Sequence, residues 1–206
     1  IGILSETALV QALSQPAQTL TSEIQAAPDL DSLGDLRQRL PIAAQAIHEN
    51  HRRAGVAVRA LTEMHLELQH RVVELTLAAM VEAGLGRPPA RFALVVMGSG
   101  GRGEMVLRPD QDNGLIIDDR VTTAGRAWFQ TFAEQLNDAL DRVGYRLCSG
   151  NVMARNPDYR GTVSEWQTKL SHMVDAPGKA QARRASIVLD FATLYGDDSL
   201  TARLRR

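Results

Sequence analysis

Cysteine is almost absent from this chain: Cys148 is the only one in 206 residues. A lone thiol excludes an intramolecular disulfide framework and any four-thiolate zinc site. Aromatic residues are scarce as well, with two Trp, three Tyr and four Phe. Neither sign of charge prevails, because 23 Lys and Arg face 24 Asp and Glu for a net charge of −1. That balance offers no broad surface for nucleic acid or an anionic membrane, so a polyanion would have to be held by a local site. Long apolar runs are missing too. The longest, Phe92 to Met97, is far too short to span a bilayer, and the N-terminus lacks the basic-then-apolar layout of a signal peptide. These exclusions predict a soluble cytoplasmic protein, and the length allows one to two domains with a sizeable core.

Both ends read as cut. Ile1-Gly2-Ile3-Leu4 has the pattern of a strand, followed by a short helix capped by Ser5 and running to about Ser14. The chain stops in Thr201-Ala202-Arg203-Leu204-Arg205-Arg206, the opening turns of a helix with Ser199 as its cap. An excised piece of a longer protein is the expectation.

From about Asp31 to Gly84, apolar residues recur at three- and four-residue spacing, as in Leu61, Met64, Leu68, Val72, Leu75 and Ala79. This predicts a helical layer, with Pro41 marking a helix start, Gly55 a weak point and Gly84 to Pro89 a stop. Beyond Pro89 the texture becomes α/β. Phe92 to Met97 and Leu115-Ile116-Ile117 read as buried strands. Residues 125–143 carry Phe129, Phe132, Leu136, Leu140 and Val143 on one helical face, with Gly144 placed as a C-terminal cap. Tyr145 to Cys148 reads as a strand, Ser164 to Val174 as a serine-capped helix, and Ser186 to Phe191 as a last strand.

The chemistry concentrates between Met97 and Asn113. Gly98, Gly100 and Gly103 spell G-x-G-x-x-G after a strand, with Asp118 downstream, which taken alone suggests a dinucleotide fold. Spacing argues against that reading. A parallel crossover needs a dozen or more residues of mostly helix, whereas only Glu104 to Arg108 separate the last glycine from the helix-breaking Pro109. The alternative is a phosphate cradle. Gly98-Ser99 ends a strand and opens a short helix whose N–H groups, with the serine hydroxyl, can hold phosphate oxygens. Ten residues separate Ser99 from Asp110, and Asp112 follows two positions later. At the start of a strand the pair would share a face about 7 Å apart. Carboxylates so placed can share Mg²⁺ or Mn²⁺, which binds phosphate oxygens in an in-line displacement.

Gly-Ser, a ten-residue gap and Asp-x-Asp resemble the signature of the polymerase-β-type nucleotidyltransferase superfamily. With Arg102, Glu104, Gln111 and Asn113 added, the string is similar to the branch of protein-modifying uridylyl- and adenylyltransferases. It is most similar to nucleotidyltransferases that follow cyclic-nucleotide-binding and CBS domains in bacterial signalling proteins. The resemblance implies residues 1–14 as the tail of a CBS domain, 15–88 as a helical region, and 89–206 as a C-terminally truncated nucleotidyltransferase core with a small mixed sheet. It implies Asp110, Asp112 and Asp190 as the metal-binding, catalytic carboxylates, and Gly98, Ser99, Arg102, Glu104 and Asn113 as contacts to a nucleoside triphosphate. A hydroxyl acceptor on a regulatory protein is a further expectation from it, and the helical half, read as an oligomerisation surface, adds the expectation of a homo-oligomer. Two departures stand out: Ala192 occupies a position where an Arg is expected, and Ser149-Gly150-Asn151 replaces an expected Pro-Gly-Gly. A non-catalytic nucleotide-binding regulatory module is the competing expectation. Among other residues, Trp166 reads as core, Asp118-Asp119 as a solvated strand end, and His48 with His51 lack the acidic or Cys partner that a metal needs.

Overall fold

The computed structural model describes residues 15–51, 53–175 and 187–204. The expected strand and helix of residues 1–14 lie outside them. Three helices open the described chain: α1 (Gln15–Ala26), α2 (Leu30–His51) and α3 (Ala54–Glu82). Strands β1 (Phe92–Met97) and β2 (Asn113–Ile117) follow, then α4 (Thr123–Val143), a 3₁₀ turn at Pro157–Tyr159, β3 (Arg160–Thr162), α5 (Val163–Asp175), β4 (Phe191–Gly196) and α6 (Asp198–Ala202). This is the expected mixed α/β architecture, with helices flanking a small sheet.

The sheet order is β3-β2-β1-β4. β1 runs antiparallel to both β2 and β4, while β2 and β3 are parallel. Every residue of β1 and β2 is buried, because each face of the sheet is covered. Alternate residues point to opposite faces. Phe92, Leu94, Leu115 and Ile117 join the core made with α1 to α4, and Ala93, Val95, Met97 and Ile116 join a second core with Trp166, Val163 and Leu200. Trp166 is core as expected, with its indole N–H donating to the Leu115 carbonyl at 2.9 Å.

Several local expectations are corrected. Pro41 lies inside α2 rather than at a helix start. An interior proline costs about 3 kcal/mol, but Leu33, Leu36, Leu40 and Ile47 are all buried on one face of α2, each worth roughly 1.5–3 kcal/mol. Burial therefore wins. Tyr145 to Cys148 is not a strand; it meets the chain ahead of β2 through an isolated bond, the Gln111 N–H to the Arg146 carbonyl, and the next contact, the Asn113 N–H to the Val152 carbonyl, lies beyond it. The last strand starts at Phe191, and residues 187–189 are helical. α5 is capped at Thr162 rather than Ser164, through a reciprocal pair: the Glu165 N–H donates to Thr162 Oγ1 and the Thr162 N–H to Glu165 Oε2. Asp197, not Ser199, caps α6. Asp118 is buried, not solvated, and is gripped by Arg91 and Arg120. Hydrogen bonds from Arg120 and Arg91 hold its carboxyl well below the usual carboxylate range.

Candidate active site

Gly98 follows the last residue of β1, Asp112 precedes the first residue of β2, and Asp190 precedes the first residue of β4. The register pairs Val96 with Asn113 and Met97 with Phe191. All three therefore sit at one end of three neighbouring strands. Neighbouring strands lie about 4.8 Å apart, so Asp112 and Asp190 are separated by roughly two strand spacings, with the Gly98 turn between them.

The turn itself is a run of consecutive turns, not the short helix expected from sequence. The amides of Gly100 and Gly101 donate to the Met97 carbonyl, that of Arg102 to Gly98, that of Glu104 to Ser99, and that of Gly98 to Ile187. Most N–H groups expected to face a phosphate are thus already used. Ser99 differs, since neither its amide nor its hydroxyl has a partner among the described residues. Two glycines are dictated by the geometry. Gly98 has φ +56°, and a Cβ there would lie 3.4 Å from Asp112 Oδ2, so glycine both permits the bend and leaves the carboxylate uncovered. At Gly101 a Cβ would fall 2.0 Å from the Asp190 carbonyl oxygen, an approach that only glycine allows.

Asp110 is exposed and Asp112 half-buried on one side of their segment, while Gln111 and Asn113 are buried on the other. The aspartates precede β2 rather than beginning it. Burial pushes the Asp112 carboxyl above its ordinary value and the like charge of Asp110 adds to this, whereas the Cys148 thiol beside it works the other way. Asp112 Oδ1 is buried without a hydrogen-bond partner among the described residues. Such an atom is costly unless something outside the protein satisfies it.

The remaining expected site residues divide in two. Arg102 lies at the turn, donating to Glu104 at 2.8 Å and to Asp190 at 2.9 Å. Asp190 thus meets Arg102, and among the described residues no group of three His, Cys, Asp or Glu side chains is placed to hold a metal. Asn113 faces inward at 3% exposure. Its Oδ1 accepts from Asn137 Nδ2 at 3.1 Å and from the Ala154 N–H at 2.8 Å. The structure does not bring its side chain to the aspartates.

Sequence reasoning missed the residues that hold this site in place. Asn137 of α4 also donates to Gln111 Oε1 at 2.7 Å and accepts from the Arg155 N–H at 2.9 Å, and Gln111 Nε2 donates to the carbonyls of Asn137 and Tyr145. On the other flank α3 grips the segment between turn and aspartates. Thr62 Oγ1 accepts from the Met105 N–H at 2.9 Å, and His65 Nε2 is 3.1 Å from the Val106 carbonyl. That carbonyl only accepts, so Nε2 carries the proton and Nδ1 accepts from the Tyr145 hydroxyl at 2.9 Å. Burial, reinforced by the Arg37 charge, lowers the His65 pKa to about 4. No local pattern around Thr62, His65 or Asn137 reveals these pairings, which join positions 18 to 80 residues apart.

A small mixed sheet that presents a Gly-Ser turn beside an Asp-x-Asp pair is the architecture of a nucleotidyltransferase core. Residues 38–180 match the family model described as "Putative nucleotidyltransferase DUF294", and the chain belongs to that family. The match covers Gly98, Ser99, Asp110 and Asp112 and ends before Asp190. No curated protein matches the chain. Among the described residues no helix is long and apolar enough to cross a membrane.

Proposed function

We propose that the chain moves a nucleoside monophosphate from a nucleoside triphosphate to an acceptor hydroxyl with release of pyrophosphate. The observation that carries this reading is Asp112 Oδ1, a buried carboxylate oxygen with no partner among the described residues, next to the exposed Asp110. Two hard-oxygen donors on one side of a segment suit Mg²⁺ or Mn²⁺, and Asp110 and Asp112 are the residues that would hold it. When bound, such an ion neutralises phosphate charge and stabilises the attacking and leaving oxygens.

The protein's own part is to position. Ser99 supplies an unused amide and hydroxyl for a phosphate oxygen, and Arg102 supplies a guanidinium at the same turn. Since Arg102 also holds Asp190, a triphosphate that draws Arg102 away would release that carboxylate toward the Asp110 and Asp112 end of the sheet. The α-phosphorus is then attacked by the acceptor oxygen as its bond to the bridging oxygen of pyrophosphate breaks, a step governed by orientation and charge neutralisation. By likeness to protein-modifying transferases, the acceptor is a side chain of a regulatory protein in the cytoplasm, and the chain works beside CBS or cyclic-nucleotide-binding domains.

Transfer from α-labelled triphosphates in the presence of Mg²⁺ tests this. Asp110→Asn with Asp112→Asn abolishes labelling on this reading, and unchanged labelling overturns it. A second reading, a regulatory module that binds nucleotide without turning it over, is favoured by Ala192 in the expected arginine position and by the Arg102–Asp190 ion pair. Calorimetry separates the two: tight nucleotide binding with no pyrophosphate release across an acceptor screen supports the module.

A further inference from the structure

A cleft of about 560 Å³ opens at the outer edge of the sheet, where Arg126 and Gln130 of α4 face Arg160 and Gly161 of β3 and Glu165 and Lys169 of α5. Ile117, at the far end of β2, lines its floor. Arg160 is paired with Leu115, three positions along β2 from Asp112 and one strand over, about 10 Å along the strand, and none of the cleft's lining residues belongs to the aspartate site. The cleft is therefore a different place from the aspartate site.

Its charge does not balance. Three cations face one acid, and that acid is already committed: Glu165 accepts the Thr162 N–H at 2.8 Å as half of the α5 cap and pairs with Arg126 at 3.0 Å. Among the described residues Lys169 and Arg160 have only neutral partners, the Trp166 ring 5.6 Å from Lys169 Nζ included. Lys169 Nζ donates to the carbonyls of Pro157 at 2.7 Å and Arg160 at 3.0 Å. Arg160 Nη1 donates to those of Ala154 and Arg155, while its Nε and Nη2 have no partner among the described residues. Glu165, Asp158 and Glu134 act on these two cations only beyond ion-pair distance. Half-buried cations without a counter-charge are costly. If bracing the loop were their only task, neutral donors would serve as well.

We propose that this cleft is a second anion site that binds the phosphate group of a small ligand, independently of the aspartates. Arg160 and Lys169 both line the cavity, and the unused guanidinium edge of the one and the third proton of the other are donors that suit a phosphate's several acceptor oxygens. The volume lies within the roughly 300–1,000 Å³ of small-molecule sites, enough for a phosphomonoester of nucleotide size. Ile117, Ala127 and Pro157 offer apolar wall for its organic part.

The test is isothermal titration calorimetry on the full chain, in EDTA, with adenosine 5′-monophosphate and separately with inorganic phosphate. Wild type and Asp110→Asn/Asp112→Asn bind alike, Lys169→Gln binds roughly ten-fold more weakly or worse, and Lys169→Arg retains binding. Added NaCl weakens binding. Tighter binding of the nucleotide shows that the organic part is read, and equal binding of the two probes assigns the site to free phosphate. Three results overturn the proposal: no heat with either probe, binding untouched by both Lys169→Gln and Arg126→Gln, or a Glu-rich peptide that binds this cleft while phosphate does not. Loss of nucleotidyl transfer in the aspartate variant with phosphate binding intact keeps this site separate from the reading above.

Discussion

Asp110, Gln111, Asp112 and Asn113 are consecutive, yet the two sides of this segment obey opposite rules. Gln111 and Asn113 turn inward, and with Asn137 they form a network in which each side-chain amide oxygen accepts a hydrogen bond. Asp110 and Asp112 lie on the other side, Asp112 against the Gly98 turn, and there a buried carboxylate oxygen is left with none among the described residues. A buried polar network stabilises and specifies a fold only when it is complete. A carboxylate held half-buried beside a like charge does the reverse, and is tolerated where a ligand can later satisfy it. Polarity alone does not distinguish structure from function in this segment; completeness of hydrogen bonding does.

The largest effect expected comes from breaking the inward side. Asn137→Ala leaves Gln111 Oε1 and the Arg155 N–H without their partner and takes one of two bonds from Asn113 Oδ1, and the loss should be about 3–5 kcal/mol of unfolding free energy. Urea unfolding followed by circular dichroism measures it. Asp110→Asn, on the exposed side, should change stability by no more than about 0.5 kcal/mol. If Asn137→Ala costs under about 1 kcal/mol, the network is not what fixes the aspartate segment.

His65 extends the same contrast to the α3 flank, where a buried neutral imidazole is satisfied by the Val106 carbonyl and the Tyr145 hydroxyl. Its pKa is lowered to about 4 in the fold, against about 6.5 when unfolded. Between these values the unfolded chain binds the extra proton, so stability falls as pH drops through that window and the loss is complete near pH 4. The span corresponds to about 3 kcal/mol. In His65→Gln this part of the pH dependence should vanish, leaving a flatter stability profile between pH 6.5 and 4. A profile identical to wild type would assign the acid sensitivity elsewhere.

The legibility of the molecule follows the range of its interactions. Strands β1 and β2, α4 with its Gly144 cap, and the Gly-Ser and Asp-x-Asp elements rest on local patterns of burial, turn chemistry and spacing, and these were readable. Pro41 misled because its cost is local while the compensating burial of Leu33, Leu36 and Leu40 is tertiary. Asn113 misled because a motif carries no sign of which side of a strand is solvated; only Asn137, 24 residues away, decides it. Asp190 is expected near the end of a strand but precedes the start of one, and its ion pair with Arg102 spans 88 residues and leaves no trace in either neighbourhood.

Smaller effects sharpen the outward side. Mg²⁺ at ten times its dissociation constant should stabilise the wild type by about 1.4 kcal/mol in thermal unfolding, and leave Asp110→Asn/Asp112→Asn unmoved. Asp112→Asn alone should raise stability at neutral pH by up to about 1 kcal/mol, because it removes the charge that burial disfavours. The sign follows from linkage. A carboxyl whose pKa is raised in the fold weakens the native state while ionised, and the penalty disappears as pH falls and the group protonates in both states. The advantage of Asp112→Asn over wild type should therefore shrink on acidification. If Asp112→Asn instead destabilises the protein at neutral pH, the carboxylate is satisfied within the fold, and the outward side of the segment is as structural as the inward one.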